Sequence, residues 1–65
     1  MTVKTLLNQF DEFIGSYIEI QNDDYERLLR ATNKHTILTY YGSKEVKKYY
    51  LSTIDNKGII NIVIK

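Results

Sequence analysis

The chain has 65 residues, no cysteine and a net charge of +1, and it is near the lower size limit for a core held by apolar packing alone. Because cysteine is absent, disulfides and thiolate metal sites are excluded as sources of stability. Apolar residues at 43% and charged residues at 26% are typical of a globular domain. No apolar run has the length of a membrane helix or of a signal peptide. We therefore expect one domain over 1–65, cytoplasmic and without a membrane partner.

An N-terminal amphipathic helix is the first predicted element. Thr2 is suited to cap its start, and Gly15 is suited to end it in the left-handed conformation. Its apolar residues are spaced so that they form a stripe along one helix face. The stripe consists of Val3, Leu6, Leu7, Phe10, Phe13 and Ile14. This stripe is expected to pack on a small sheet.

The next segment, 16–21, alternates between apolar and polar residues, which predicts a half-buried strand. Ile18 and Ile20 lie on one side of it. The other side carries Tyr17, Glu19 and Gln21. A turn at 22–24 closes the strand.

Residues 25–31 allow two interpretations. Asp23 to Glu26 resembles a capping box at a helix start, but a turn directly after a strand equally suits a hairpin in which 25–31 returns beside 17–21. We prefer the hairpin, which leaves a second helix over 33–41 that ends at Gly42. Its inward residues are Ile37, Leu38 and Tyr41. The predicted class is α+β, an N-terminal helix on an antiparallel sheet in the order α-β-β-α-β-β, with α-β-α-β-β as the alternative.

Residues 44–65 predict a β-hairpin. The turn at 55–58 suits a type I turn followed by a left-handed glycine, Gly58. That register pairs Ile54 with Ile60, Ser52 with Ile62 and Tyr50 with Ile64 on one face, and Thr53 with Asn61 and Leu51 with Val63 on the other. The first face requires a covering core. On the second face, Tyr49, Leu51 and Val63 would form an exposed strip.

The charges are sorted along the chain. Residues 1–26 sum to −5, and residues 27–65 sum to +6. The two halves either form an acidic end and a basic end or interleave in space and neutralise each other. We favour interleaving, because two hairpins in one sheet would mix the halves.

Groups suited to catalysis are sparse. His35 is the only histidine, and without cysteine the roughly four ligands of a zinc site cannot be assembled around it. Asp23 and Asp24 fit turn and cap positions better than cation binding, because the calcium-loop pattern is missing. Asp11 and Glu12 diverge on a helix and do not form an acid–base pair. We expect no enzyme activity, no cofactor and no metal.

Tyrosine is abundant, with six in 65 residues. Its ring buries a large area while its hydroxyl stays polar, so it is favoured at interfaces, although it is also a good strand former. An acidic set could present phosphate-like charge to a basic groove: Asp11, Glu12, Glu19, Asp23, Asp24 and Glu26. The predicted partner-binding surface combines those acids, Glu26 apart, with Tyr17, Tyr49, Leu51 and Val63.

The element pattern resembles that of small accessory proteins of phages and prophages of Gram-positive bacteria, many without assigned activity. It is carried by the helix, the strand, the acidic turn, Tyr25-Glu26-Arg27-Leu28-Leu29, the short helix, and the segments 44–50 and 59–65. The resemblance implies a protein of the host-cell cytoplasm, sometimes an inhibitor of a host enzyme or defence complex. Residues 25–54 are also similar in layout to small phage inhibitors of uracil-DNA glycosylase, which are acidic where this stretch is basic.

Three functions follow, in order of preference. The first is a protein-binding module, such as an inhibitor of a host nucleic-acid enzyme or defence complex. The second is an accessory protein whose mixed sheet face forms a homodimer. The third is a nucleic-acid binder, which the near-neutral net charge disfavours. In that case Arg27, Arg30, Lys34, Lys44, Lys47 and Lys48 would contact phosphates, and Tyr40, Tyr41 or Tyr49 would stack on bases.

Overall fold

The computed structural model describes residues 1–9 and 17–65, and this part of the chain contains two helices and four strands. The elements are α1 (Val3–Leu7), β1 (Tyr17–Gln21), β2 (Arg27–Ala31), α2 (Lys34–Tyr41), β3 (Val46–Ile54) and β4 (Lys57–Ile64). The predicted α+β class is confirmed. Residues 25 and 26 lie in the connection between β1 and β2, which form an antiparallel hairpin.

The four strands form one mixed sheet in the order β2-β1-β4-β3. The pairs β1–β2 and β3–β4 are antiparallel, whereas β1 and β4 are parallel at the centre. The prediction of a purely antiparallel sheet is therefore wrong. The reason lies in β4, where residues 59–64 are buried throughout, because a strand that is apolar on both sides is most stable at the centre of a sheet. The more polar β3 is left at the edge.

The core lies between the helices and one face of the sheet, here called the helix face. In α1 and α2 its members are Val3, Leu6, Leu7 and Ile37, and in the sheet they are Ile18, Ile20, Ile60, Ile62 and Ile64. Burying one such aliphatic side chain stabilises a fold by about 1.5–3 kcal/mol. None of the described helices is long and apolar enough to cross a lipid bilayer.

The start of α1 is tied to the loop that follows α2. The backbone N–H groups of Val3 and Lys4 donate to the carbonyls of Lys44 and Gly42, each at 2.9 Å. The side chain of Thr2 accepts from the N–H of Thr5, as its predicted capping role requires. The free donors of a helix N-terminus thus find partners within the protein.

Helix α1 ends sooner than the apolar stripe predicts. Its last residue is Leu7, and Asn8 forms the C-cap. The predicted continuation through Phe10, Phe13 and Ile14 to Gly15 lies outside the described residues, as does Ser16.

The turn between β3 and β4 overturns the predicted register. Asp55 and Asn56 have φ angles of 50° and 65°, the geometry of a two-residue type I′ turn, which twists in the same sense as its strands. Ile54 therefore pairs with Lys57 rather than with Ile60. The predicted register is wrong by three residues. An odd shift moves every side chain of one strand to the other face relative to its partner.

Gly42 follows α2 and supports a specific stability prediction. A Cβ atom on this residue would lie 2.5 Å from the carbonyl oxygen of Leu38. This oxygen belongs to the backbone, so it cannot move away as the end of a flexible side chain could. We expect Gly42→Ala to lower the free energy of unfolding by about 1–3 kcal/mol in denaturant titrations. Tyr40→Ala, at an exposed position on α2, should change the free energy of unfolding by less than about 0.5 kcal/mol. Equal effects of the two substitutions would contradict the steric explanation.

Candidate functional site

The sheet face opposite the core, here called the open face, carries mainly polar and aromatic side chains. It is formed by Tyr17, Glu19 and Gln21 of β1, Arg30 of β2, Lys48, Tyr50 and Ser52 of β3, and Ile59, Asn61 and Val63 of β4. Tyr17, Glu19 and Gln21 share one side of β1, as predicted. The prediction of a half-buried strand is wrong, because residues 18–21 are all buried. β1 is central, so its polar side chains are enclosed by neighbouring strands.

A hydrogen-bond network crosses all four strands of the open face. Arg30 Nε donates to Glu19 Oε1 at 2.8 Å, and Gln21 Nε2 donates to Glu19 Oε2 at 2.6 Å. Gln21 Nε2 also donates to Asn61 Oδ1 at 3.2 Å, which links β1 to β4. Tyr50 on β3 donates its hydroxyl proton to Gln21 Oε1 at 3.0 Å. The network thus connects both sheet edges through the centre.

The amide groups of the network are fully occupied. Both hydrogens of Gln21 Nε2 are used, one for Glu19 and one for Asn61. Both hydrogens of Asn61 Nδ2 are also used, with Ser52 Oγ at 2.8 Å and the Tyr50 carbonyl at 3.3 Å. In the described part of the chain, no buried side-chain nitrogen or oxygen lacks a partner. The network therefore offers few free groups to a ligand and is chiefly structural.

Glu19 is the buried charge of the open face. Burial raises the pKa of its carboxyl, but the hydrogen bonds from Gln21 and Arg30 and the charges of Arg30 and Arg27 outweigh burial, so the pKa lies below its ordinary value. The carboxylate is therefore ionised at neutral pH and neutralised by Arg30, whose Nη2 is 2.7 Å from Oε1. A carboxylate held in this way is not suited to take up a proton as a general base near pH 7.

Tyrosine rings and cations lie together at two places. Lys57 Nζ is 5.7 Å from the centre of the Tyr17 ring, and the Arg30 guanidinium is 5.9 Å from the same ring. Lys48 Nζ is 4.8 Å from the centre of the Tyr25 ring, next to β1 in the turn to β2. These distances are within the range of cation–π attraction. Both places therefore combine an aromatic surface with positive charge.

The predicted strip of Tyr49, Leu51 and Val63 is not a continuous surface. Leu51 lies across from Ile60 on the helix face, whereas Val63 lies across from Lys48 on the open face. Val63 is fully buried, but Leu51 is 70% exposed and Tyr49 is 46% exposed. The two exposed residues project from β3, one of the two edge strands of the sheet, beyond the core.

The acidic set is dispersed. Glu19 is buried in the network, while Asp23 and Asp24 lie exposed in the turn after β1. Asp23 pairs with Lys47 at 3.1 Å. Asp11 and Glu12 lie outside the described residues. Because Glu19 and Asp23 pair with bases from the second half of the chain, the two halves interleave at these contacts.

The predicted phosphate-binding residues do not form one surface. Arg30 and Lys48 are on the open face, and Arg27 lies across from Gln21. Lys34 begins α2, Lys44 is in the loop after it, and Lys47 pairs with Asp23. Tyr40 and Tyr41 are also on α2.

Three residues on or beside the open face were not predicted to be site residues: Gln21, Asn61 and Lys57. A usable signal was present for Asn61, a single amide within the apolar run 59–64. Such a residue predicts a buried side chain that requires a hydrogen-bonding partner. Lys57 was assigned to the turn, and only the observed register places it beside Tyr17.

His35 is exposed in the first turn of α2, where its backbone N–H donates to the Asn33 side chain at 2.7 Å. Within residues 1–9 and 17–65, no group of three or more His, Asp or Glu side chains could hold a metal ion.

No protein-family model matches this chain, and neither the curated proteins nor the solved structures contain a match to it.

Proposed function

We propose that this chain is a non-enzymatic protein-binding module whose partner adds a strand to the outer edge of β3. β3 is nine residues long, and among the described strands it pairs with β4 alone. At its start, the N–H of Val46 donates to the carbonyl of Met1. From 47 to 54 no described strand pairs with the outer side. An edge strand of this kind presents backbone donors and acceptors to an incoming strand.

The exposure of Leu51 is the observation on which the proposal rests. Leu51 is 70% exposed at the middle of β3, beside Tyr49 at 46%. Edge strands are commonly protected by charged residues, but here Lys47 and Lys48 are confined to one end. An apolar centre on a free edge is typical of an interaction site.

The resemblance to small phage proteins supports a bacterial host protein as partner, with inhibition of a nucleic-acid enzyme or a defence complex as the outcome. A second copy of the chain is the other candidate, and one observation favours it. Antiparallel pairing of two β3 strands centred on Leu51 would place the two Leu51 side chains across from each other, with Tyr49 of one copy across from Thr53 of the other. Contact between the exposed apolar and aromatic side chains at the centre of the two strands would favour this register.

The test compares Leu51→Lys with a matched control, Tyr40→Lys. The two side chains are 70% and 69% exposed, on β3 and α2 respectively, and both changes add one positive charge. Circular dichroism first establishes that both variants fold. Light scattering over a range of concentrations then gives the solution mass. If the wild type is a dimer, Leu51→Lys should be a monomer and Tyr40→Lys should remain a dimer.

If the wild type is a monomer, the immobilised protein is used to capture a partner from bacterial lysate. We expect capture by the wild type and by Tyr40→Lys but not by Leu51→Lys, together with slower amide exchange over 47–54 in the complex. Capture that both substitutions abolish equally, or that neither affects, would contradict binding at the β3 edge. A monomer that captures nothing would also count against the proposal.

A further inference from the structure

We infer that the open face binds single-stranded nucleic acid without sequence preference, at a site separate from the β3 edge. Aromatic rings and positive charges are the two components that such binding requires, because rings stack on bases and cations contact phosphates. Both occur together here. Tyr25 is 51% exposed and Tyr50 is 40% exposed, and Tyr17 lies partly exposed beside Lys57 and Arg30.

The charge of this face is positive even though the whole chain is close to neutral. Arg27, Arg30, Lys48 and Lys57 are on or beside the open face, whereas the face's own carboxylate, Glu19, is buried and paired with Arg30. The exposed acids Asp23 and Asp24 lie in the turn, where Lys47 offsets Asp23. The other exposed carboxylates nearby, Asp24, Glu26 and Asp55, lie in the β1–β2 and β3–β4 turns. The strands of the open face themselves therefore present a net positive charge to a polyanion.

The rings are spread along the sheet rather than clustered. Tyr17 is at the start of β1, and Tyr25 is in the turn just after its end. The four residue steps from 17 to 21 span about 13 Å. Tyr50 lies between these ends on β3, across from Asn61. Each of the two end tyrosines has its own cation, so a strand that follows β1 would find base-stacking and phosphate contacts at both ends.

The occupied amides explain why no sequence preference is expected. Bases are distinguished by hydrogen bonds to their edges, but the donors of Gln21 and Asn61 are all used within the network. Stacking and phosphate contacts remain, and both tolerate any base. This binding is independent of the proposed protein-binding function, because the open face and the projecting Leu51 lie on opposite sides of β3.

The probes are dye-labelled 20-nucleotide DNA and RNA strands of mixed sequence, with the corresponding DNA duplex and heparin for comparison. Fluorescence anisotropy at 50 mM and 200 mM salt gives the affinity and its salt dependence. Three or four phosphate contacts predict a log–log slope of about −2 to −3, which is a loss of roughly 20- to 50-fold over this range. Both single strands should bind, more tightly than the duplex or heparin, and with similar affinity for different sequences.

Two pairs of variants separate this site from general charge. Lys48→Ala with Lys57→Ala should reduce the slope by about 1.4, since each removes one phosphate contact. Lys34→Ala with Lys44→Ala removes the same charge away from the open face and should leave the slope unchanged.

Tyr25→Asn should weaken binding by at least about fivefold, because one stacking ring is lost. Asparagine tolerates the φ of 63° at this position, so the turn is retained. Tyr40→Asn is the exposed-tyrosine control and should have no effect.

No binding at 50 mM salt with tens of micromolar protein would overturn the inference, since non-specific affinities are on the order of 10⁻⁴–10⁻⁶ M. An equal reduction of the salt slope in the two double-lysine variants would overturn the inference in favour of general electrostatic attraction. Heparin binding as tight as the single strands, with Tyr25→Asn unchanged, would show that bases are not recognised. Circular dichroism of each variant checks that a loss of binding is not a loss of fold.

Discussion

Arg30→Met is expected to lower the free energy of unfolding by about 2–3 kcal/mol at pH 7. Arg30 provides the neutralising charge for Glu19, with two nitrogens within 2.8 Å of Oε1. Methionine keeps much of the side-chain length, but it leaves a buried carboxylate without its cation. Removing one partner of a buried pair costs more than the pair itself contributes, because the remaining carboxylate has lost its hydration and keeps only the hydrogen bond from Gln21.

The contribution of Glu19 to stability depends on pH. In the wild type the pKa of Glu19 lies below its ordinary value, because hydrogen bonds and nearby charges outweigh burial. The unfolded state therefore binds more protons through the acidic range. Glu19 then contributes stability that is fully present above the unfolded pKa of about 4.3 and is lost as pH falls through the folded pKa.

In Arg30→Met, burial remains while the hydrogen bond and the charge of Arg30 are gone, so we expect the pKa of Glu19 to rise. The difference in stability from the wild type should then be largest at pH 7 and should shrink as pH falls through the acidic range, because Glu19 of the variant is protonated before Glu19 of the wild type. Urea titrations at several pH values measure it.

Arg27→Met is the control, because Arg27 is exposed and its charge is the smallest of the causes that act on the pKa of Glu19. It should change stability by less than about 0.5 kcal/mol. A loss in Arg30→Met that is constant from pH 3 to pH 7 would assign the effect to packing of the side-chain stem and not to charge.

The helices and strands of this fold could be predicted from the sequence because their residue patterns are periodic. Alternation predicted β1 with the correct sides, and Asn33 to Gly42 predicted α2 with Ile37 inward. These patterns depend only on neighbours along the chain. They do not determine which strands pair with each other. The parallel pairing of β1 and β4 was therefore not predicted.

The error in the C-terminal hairpin has a separate cause. Both a type I turn with a bulge at Gly58 and a type I′ turn at Asp55 and Asn56 suit this sequence, because Asp and Asn adopt positive φ more readily than most residues. A choice between them changes the register by an odd number of residues, and every conclusion about faces changes with it. The predicted strip failed because this register places Val63 on the other face from Leu51 and because β4 is central, which buries Val63. Tyr49 and Leu51 remain exposed in the observed register.

The candidate sites were harder to predict than the elements because both depend on pairing across strands. The outer edge of β3 exists only because β4 occupies the centre, and the network exists only because Glu19, Gln21 and Asn61 are brought side by side. The two faces of the sheet have different roles. The helix face carries the apolar core, and the open face holds polar groups in fixed positions.

Asn61→Val tests how much the fold depends on that network, and we expect it to lower the free energy of unfolding by about 2–4 kcal/mol. Valine suits a central strand by shape and propensity, so the loss would come from hydrogen bonds. Asn61 accepts from Gln21 and donates to Ser52 and to the Tyr50 carbonyl, and removing it leaves one buried amide hydrogen of Gln21 unpaired. Ser52→Ala removes only one of these bonds, at an exposed position, and should cost less than about 1 kcal/mol.

A double-mutant cycle with Gln21→Leu separates the network from its individual bonds. Once Asn61 is valine, Gln21 has already lost one partner, so replacing it should cost less than it does in the wild type. We expect the double variant to be more stable than the sum of the single changes by roughly 0.5–3 kcal/mol, measured by urea unfolding. Strict additivity would show that the two amides act separately. In that case backbone pairing of the strands, and not coupling between the polar side chains, would hold the open face in place.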